Sequence, residues 1–148
     1  MSKGNYFNIF HQNISLKEKH HELLSHLFPN LPHVLCLTEH HLKAFELQSI
    51  NIDHYIMGAQ FCRTNYAKGG VVIYAHNSLC LTAINLSKYC VEKDIEICAV
   101  KLEVQSMVFC IITVYRSPLG NFTRFLETLD AVLQSLYSPT LGIIICED

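Results

Sequence analysis

Residues 6–39 read YFNIFHQNISLKEKHHELLSHLFPNLPHVLCLTE, and this stretch decides the fold class. Tyr6 to Ile14 mixes apolar and polar residues as a partly exposed β-strand does. Ser15-Leu16-Lys17-Glu18 follows, with the spacing of a capping box that opens a helix. Leu16, Leu23, Leu24, Leu27 and Phe28 recur at helical spacing until Pro29-Asn30-Leu31-Pro32 breaks the run. Val34-Leu35-Cys36-Leu37 is then a short apolar strand that leads straight into Thr38-Glu39. Strand, helix and strand in that order predict a βαβ unit, and so an α/β protein.

Outward from this unit, strands dominate the middle of the chain. Tyr55 to Phe61 is one, Lys68-Gly69-Gly70 is a turn, and Val71-Val72-Ile73-Tyr74 is the next. Ile95 to Val104 and Met107 to Tyr115 are long apolar runs separated only by Gln105-Ser106, which predicts a hairpin covered on both faces. After Ser117-Pro118-Leu119-Gly120-Asn121, a helix carries Phe122, Phe125, Leu126, Leu129, Val132, Leu133 and Leu136 on one stripe, and Ser138-Pro139 ends it. Ile143-Ile144-Ile145-Cys146 is the last strand. No internal repeat, low-complexity tract or flexible linker divides the chain, so residues 1–148 read as one folding unit.

Composition sets limits on function. Half of the 148 residues are hydrophobic and only 16% are charged, which excludes disorder. Eleven Lys and Arg against thirteen Asp and Glu give a net charge of −2, so a polyanion would have to be held by local groups. The seven cysteines are odd in number, form no CxxC pair and sit mostly in apolar runs. They read as buried small hydrophobes in a reducing compartment. The first residues, Met1 to Asn5, lack the apolar core of a secretion signal, and no apolar run reaches membrane-spanning length. The reading is of an intracellular protein, cytoplasmic or nuclear, without membrane contact.

Asn13, Glu39, Tyr115 and Asp148 each stand at or just after the C-terminal end of an apolar run, where α/β sheets place ligands. Carboxylate and amide oxygens are hard ligands suited to Mg²⁺. Taken singly, each has a plainer reading: Asn13 as a helix-entry residue, Glu39 as a solvated strand end, Tyr115 as the edge of a core. Other features carry less. Neighbouring imidazoles at His20-His21 and His40-His41 point in different directions, and Gly69-Gly70 lacks the rest of a phosphate-binding loop.

Taken in order, five segments resemble the endonuclease/exonuclease/phosphatase superfamily, and especially the apurinic-type endonuclease domain of non-LTR retrotransposons. They are Gln12-Asn13-Ile14-Ser15-Leu16 with Lys19 beyond, Cys36-Leu37-Thr38-Glu39-His40, Arg63 with Lys68-Gly69-Gly70-Val71, Val114-Tyr115-Arg116-Ser117-Pro118 with Gly120-Asn121, and Ile143 to Asp148. The resemblance implies that Asn13 and Glu39 help to hold a catalytic Mg²⁺ (or Mn²⁺), that Tyr115 contacts the phosphate region, and that Asp148 orients the attacking water. It makes Arg63 and Arg116 candidate substrate contacts, and the DNA phosphodiester backbone the partner.

The departures shape the remaining expectations. Glu147 stands where the family has Gly, and the later Ser-Asp-His motif is absent. The αββα four-layer sandwich is therefore expected in an incomplete, C-terminally truncated version, with one sheet plus part of the second. Dependence on a missing C-terminal segment or on a reverse-transcriptase region goes with that reading, and so does an inactive fragment. Two alternatives are a non-catalytic remnant of the same fold and a small flavodoxin-like binding module.

Overall fold

The computed structural model describes residues 7–148, so the expectations for Met1 to Asn5 and for Tyr6 lie outside the described residues. Eight strands and three α-helices follow one another as β1 (Ile9–Asn13), α1 (Leu16–Leu27), β2 (Val34–Thr38), α2 (Ala44–Leu47), β3 (Tyr55–Phe61), β4 (Val71–His76), β5 (Cys80–Ile84), β6 (Glu96–Val104), β7 (Met107–Tyr115), α3 (Phe122–Leu136) and β8 (Leu141–Glu147). They build two four-stranded sheets, ordered β1-β2-β4-β3 and β5-β6-β7-β8. Each sheet holds one parallel pair at its end, β1 with β2 and β7 with β8, and α1 and α3 are the respective crossovers.

This arrangement corrects the expected fold class. The second sheet is complete at four strands rather than partial, and the chain forms a fuller αββα sandwich. The sequence reading lacked β5: Cys80-Leu81-Thr82-Ala83-Ile84 is a half-exposed edge strand of only five residues, too short to show a period. Two mixed sheets also overturn the flavodoxin-like alternative, which needs a single parallel sheet.

Side chains alternate along the strands and so create three packed layers of contact. Leu35 and Leu37 of β2 face α1, where Leu16 and Leu23 are buried. Cys36 points the other way and meets Ile73, Val100 and Ile111 between the sheets. On the far side Ile97, Ile112 and Val114 pack on Phe125 and Val132 of α3. In β7 every residue from Cys110 to Tyr115 is buried, because strands flank it and layers cover both faces. The β6–β7 hairpin turns on Gln105 and Ser106, both with positive φ (50° and 68°), the backbone a two-residue loop needs to match strand twist.

Local details depart from the sequence pattern. Ser15 precedes α1, but its hydroxyl makes no capping bond and contacts His41 Nδ1 at 3.1 Å, so the expected capping box does not form. Asn121 does cap α3, accepting from Arg124 N at 2.9 Å. The buried stripe of α3 is narrower than its apolar residues suggest, since Phe122 and Leu126 are about half exposed. Of the seven free cysteines, Cys36, Cys98 and Cys110 are buried as expected, whereas Cys80 is exposed. Among the described residues no helix is long and apolar enough to cross a membrane.

Candidate functional site

The two parallel pairs bring four strand ends together. Asn13 is the last residue of β1, Glu39 follows β2, Tyr115 ends β7 and Asp148 follows β8. The Asn13 amide donates to Glu39 Oε2 and, at 2.5 Å, to Asp148 Oδ2. Tyr115 Oη donates to Glu39 Oε1 at 2.7 Å, and Thr38 Oγ1 donates to Asp148 Oδ2 at 3.1 Å. Residues 26, 76 and 135 positions apart thus share one hydrogen-bonded cluster that joins both sheets.

Backbone conformation aims Glu39 at this cluster. Its φ is +52°, a left-handed conformation that costs a non-glycine residue roughly 1–2 kcal/mol. The turn at 68–70 supports it: Gly69 and Gly70 carbonyls accept from His41 N (2.9 Å) and His40 N (3.4 Å). Both glycines have positive φ, and a Cβ on Gly70 would lie 2.3 Å from the His40 ring. His40 is fully buried; its Nε2 pairs with the Phe61 carbonyl (3.0 Å) and its Nδ1 accepts from Leu42 N (2.9 Å). Burial lowers its pKa to about 4, with positive charge on neighbouring His41 adding to the effect. His40 is therefore a neutral structural strut.

The two candidate arginines have different settings. Arg63 is buried, with Nε on Glu96 Oε2 at 2.6 Å and Nη1 on the Ala67 carbonyl at 2.9 Å. Arg116 is half-buried, lies over the Phe122 ring at 5.1 Å and leans on the carbonyls of Ser117 and Gly120. Arg63 thus joins the framework behind Tyr115, and Arg116 the loop that follows it. Burial first, and the Glu39 hydrogen bond second, hold the Tyr115 phenol well above its ordinary pKa. It remains a protonated donor at neutral pH.

The donor set suits a hard divalent cation. Two carboxylates converge on one amide, and among the described residues no Lys, Arg or His forms an ion pair with either. Only neutral donors offset their repulsion, and a cation bound by Glu39 and the Asn13 amide oxygen would relieve it. Among the described residues there is no group of three or more His, Cys, Asp or Glu placed to hold a metal. The sequence reading did not single out Thr38 or Glu96. Thr38 carried a signal in its place beside Glu39, and Glu96 in being an acid at the start of an apolar run.

No protein-family model matches the chain, and no curated protein matches it in sequence. Solved structures do match it in fold. The TDP2 of D. rerio complexed with a single-strand DNA product is similar at TM-score 0.69 and 16% identity, over 98% of this chain and 61% of that one. The endonuclease domain of TRAS1, a telomere-specific non-LTR retrotransposon, gives TM-score 0.68 at 13% identity, over 97% and 58%. The AP endonuclease LMAP from Leishmania major gives 0.68 at 16%, over 96% and 54%. The chain spans less than two thirds of each. At these identities the likeness is one of fold alone.

Proposed function

We propose that the four strand ends form a Mg²⁺- or Mn²⁺-dependent phosphodiesterase site of the DNA endonuclease type found with retrotransposons. The observation that carries the reading is the meeting of Glu39 and Asp148, from different sheets, on the Asn13 amide. Glu39 and Asn13 would hold the metal, whose contribution would be to neutralise charge developing on a phosphoryl group. Asp148, steadied by Thr38, is placed to accept a proton from an attacking water. Tyr115 fixes Glu39 through its hydroxyl and borders the place where a phosphate would sit. Arg116 lies on the loop beside it and is the better placed of the two arginines to meet a DNA backbone, since Arg63 is occupied by Glu96.

Support from similar proteins is of the same grade: one is an endonuclease domain of a non-LTR retrotransposon, another an AP endonuclease, and a third holds a DNA product. The 148 residues read as one domain, acting inside the cell on a DNA phosphodiester backbone. A non-catalytic form of the same fold is the second reading, favoured by the absence of a three-ligand His, Cys, Asp or Glu cluster among the described residues.

Supercoiled-plasmid nicking with Mg²⁺ tests the reading. The side chains hydrogen-bonded to Asp148 are Asn13 and Thr38, neither of them an acid or base in the working range. A missing general acid or base typically forfeits about 10²–10⁴-fold in rate. The chain is expected to bind Mn²⁺ but to nick slowly, and Glu39→Ala to abolish both. Failure of the native chain to bind Mn²⁺ at all would leave the non-catalytic reading.

A further inference from the structure

Glu96 is fully buried and lies directly opposite Tyr115 in the β6–β7 register. Cross-strand partners share a face, so its side chain points between the sheets as Tyr115 does. There it gathers three donors: Arg63 Nε at 2.6 Å, Gly70 N at 2.7 Å and Lys93 N at 2.8 Å. Arg63 follows β3 and Gly70 precedes β4, both in the first sheet, while Glu96 opens β6 of the second. The ion pair is thus a bolt between the sheets. The same turn accepts the His40 and His41 backbone amides that follow Glu39. One end of the bolt therefore governs Glu39 and the other governs Tyr115, the two partners of the 2.7 Å hydrogen bond.

We infer that Glu96, held by Arg63, is the positioning residue of this site: by tying Gly70 and Lys93 to the first residue of β6, it sets the sheet-to-sheet offset at which Tyr115 reaches Glu39. The inference rests on reading the strand ends as a functional site, but its geometry is independent of any metal. Packing alone would allow the sheets to slide by a fraction of a side chain. A carboxylate with three directional bonds allows no such slip. Glu96 would touch neither metal nor phosphate, and it acts through Tyr115 and Glu39.

The test uses the paired substitution Arg63→Met with Glu96→Gln, which removes both buried charges so that neither is left unpaired. Tyr115 is followed by NMR of tyrosine labelled at the phenolic carbon, in the native chain, the pair variant and Glu39→Gln. The phenolic-carbon shift at neutral pH reports whether the 2.7 Å hydrogen bond to Glu39 persists. The expected result is a folded variant in which the Tyr115 phenolic-carbon resonance leaves its native position and moves toward that in Glu39→Gln. Mn²⁺ affinity should fall about tenfold, the low end for the loss of a residue that orients metal ligands. A folded variant with a native Tyr115 resonance and native Mn²⁺ affinity would overturn the inference.

Should the pair variant not fold, Glu96→Asp keeps the charge but withdraws the carboxylate by one methylene, so that it cannot reach all three donors. A displaced Tyr115 resonance in that variant supports the positioning role, and an unchanged one refutes it. If the native chain binds no Mn²⁺ while Tyr115 still shifts, the metal reading fails and the positioning role stands.

Discussion

Replacing Glu39 by Gln should separate stability from metal binding, because the two respond to its charge in opposite ways. Both Glu39 and Asp148 accept from the same Asn13 nitrogen, the latter at 2.5 Å. Two oxygens so bridged lie within about 5 Å, where like unit charges repel by about 0.8 kcal/mol in water and about 3 kcal/mol at an effective dielectric of 20. The contacts are exposed, so the lower figure applies after screening. Against that gain, the Tyr115 hydrogen bond loses its charged acceptor, which costs about 1 kcal/mol. The metal-free variant should therefore match native stability within about 1 kcal/mol. With metal at a hundred times its Kd the native chain gains about 2.7 kcal/mol, and the variant should gain almost none. Urea unfolding with and without Mn²⁺, on both proteins, measures all four numbers. Equal metal-induced stabilisation of native and variant would refute the assignment of Glu39 as a ligand.

Gly70→Ala should destabilise the chain by more than about 2 kcal/mol, since the added methyl meets the buried His40 ring and the backbone is left-handed; urea unfolding checks it. His40 ties stability to pH. Its folded pKa of about 4 lies below the ordinary value of about 6.5, so the unfolded chain binds the proton first as pH falls. The stability is complete above pH ~6.5 and drains away toward pH ~4, by about 3 kcal/mol in all, and unfolding curves taken across that window should lose this slope in His40→Gln. Phe125→Ala, which empties the fully buried anchor of α3, should cost about 3–5 kcal/mol in chemical denaturation without changing Mn²⁺ affinity.

The residues of the candidate site were legible one at a time. A buried strand is apolar along its length, so polar residues at or just past the end of an apolar run mark the strand end, and Glu39, Tyr115 and Asp148 stand at or one residue past the ends of β2, β7 and β8. The βαβ unit was legible for a similar reason, as periodicity changes from strand to helix and back within 33 residues of Tyr6. Edge strand β5 was not, because its five residues are too few to show a period. The capping box failed because Ser15 found a tertiary partner in His41.

Sequence alone determined which residues could be ligands, donors and core, because chemistry and burial pattern are properties of short segments. Tertiary structure alone decided their partners. Glu39 meets Tyr115 across 76 positions and Asn13 meets Asp148 across 135, and Arg63 turns inward to Glu96 rather than outward to a substrate. These pairings depend on how two sheets stack and at what offset. That offset is set by the sum of many small packing contacts and one buried ion pair, none of which any local stretch of sequence contains.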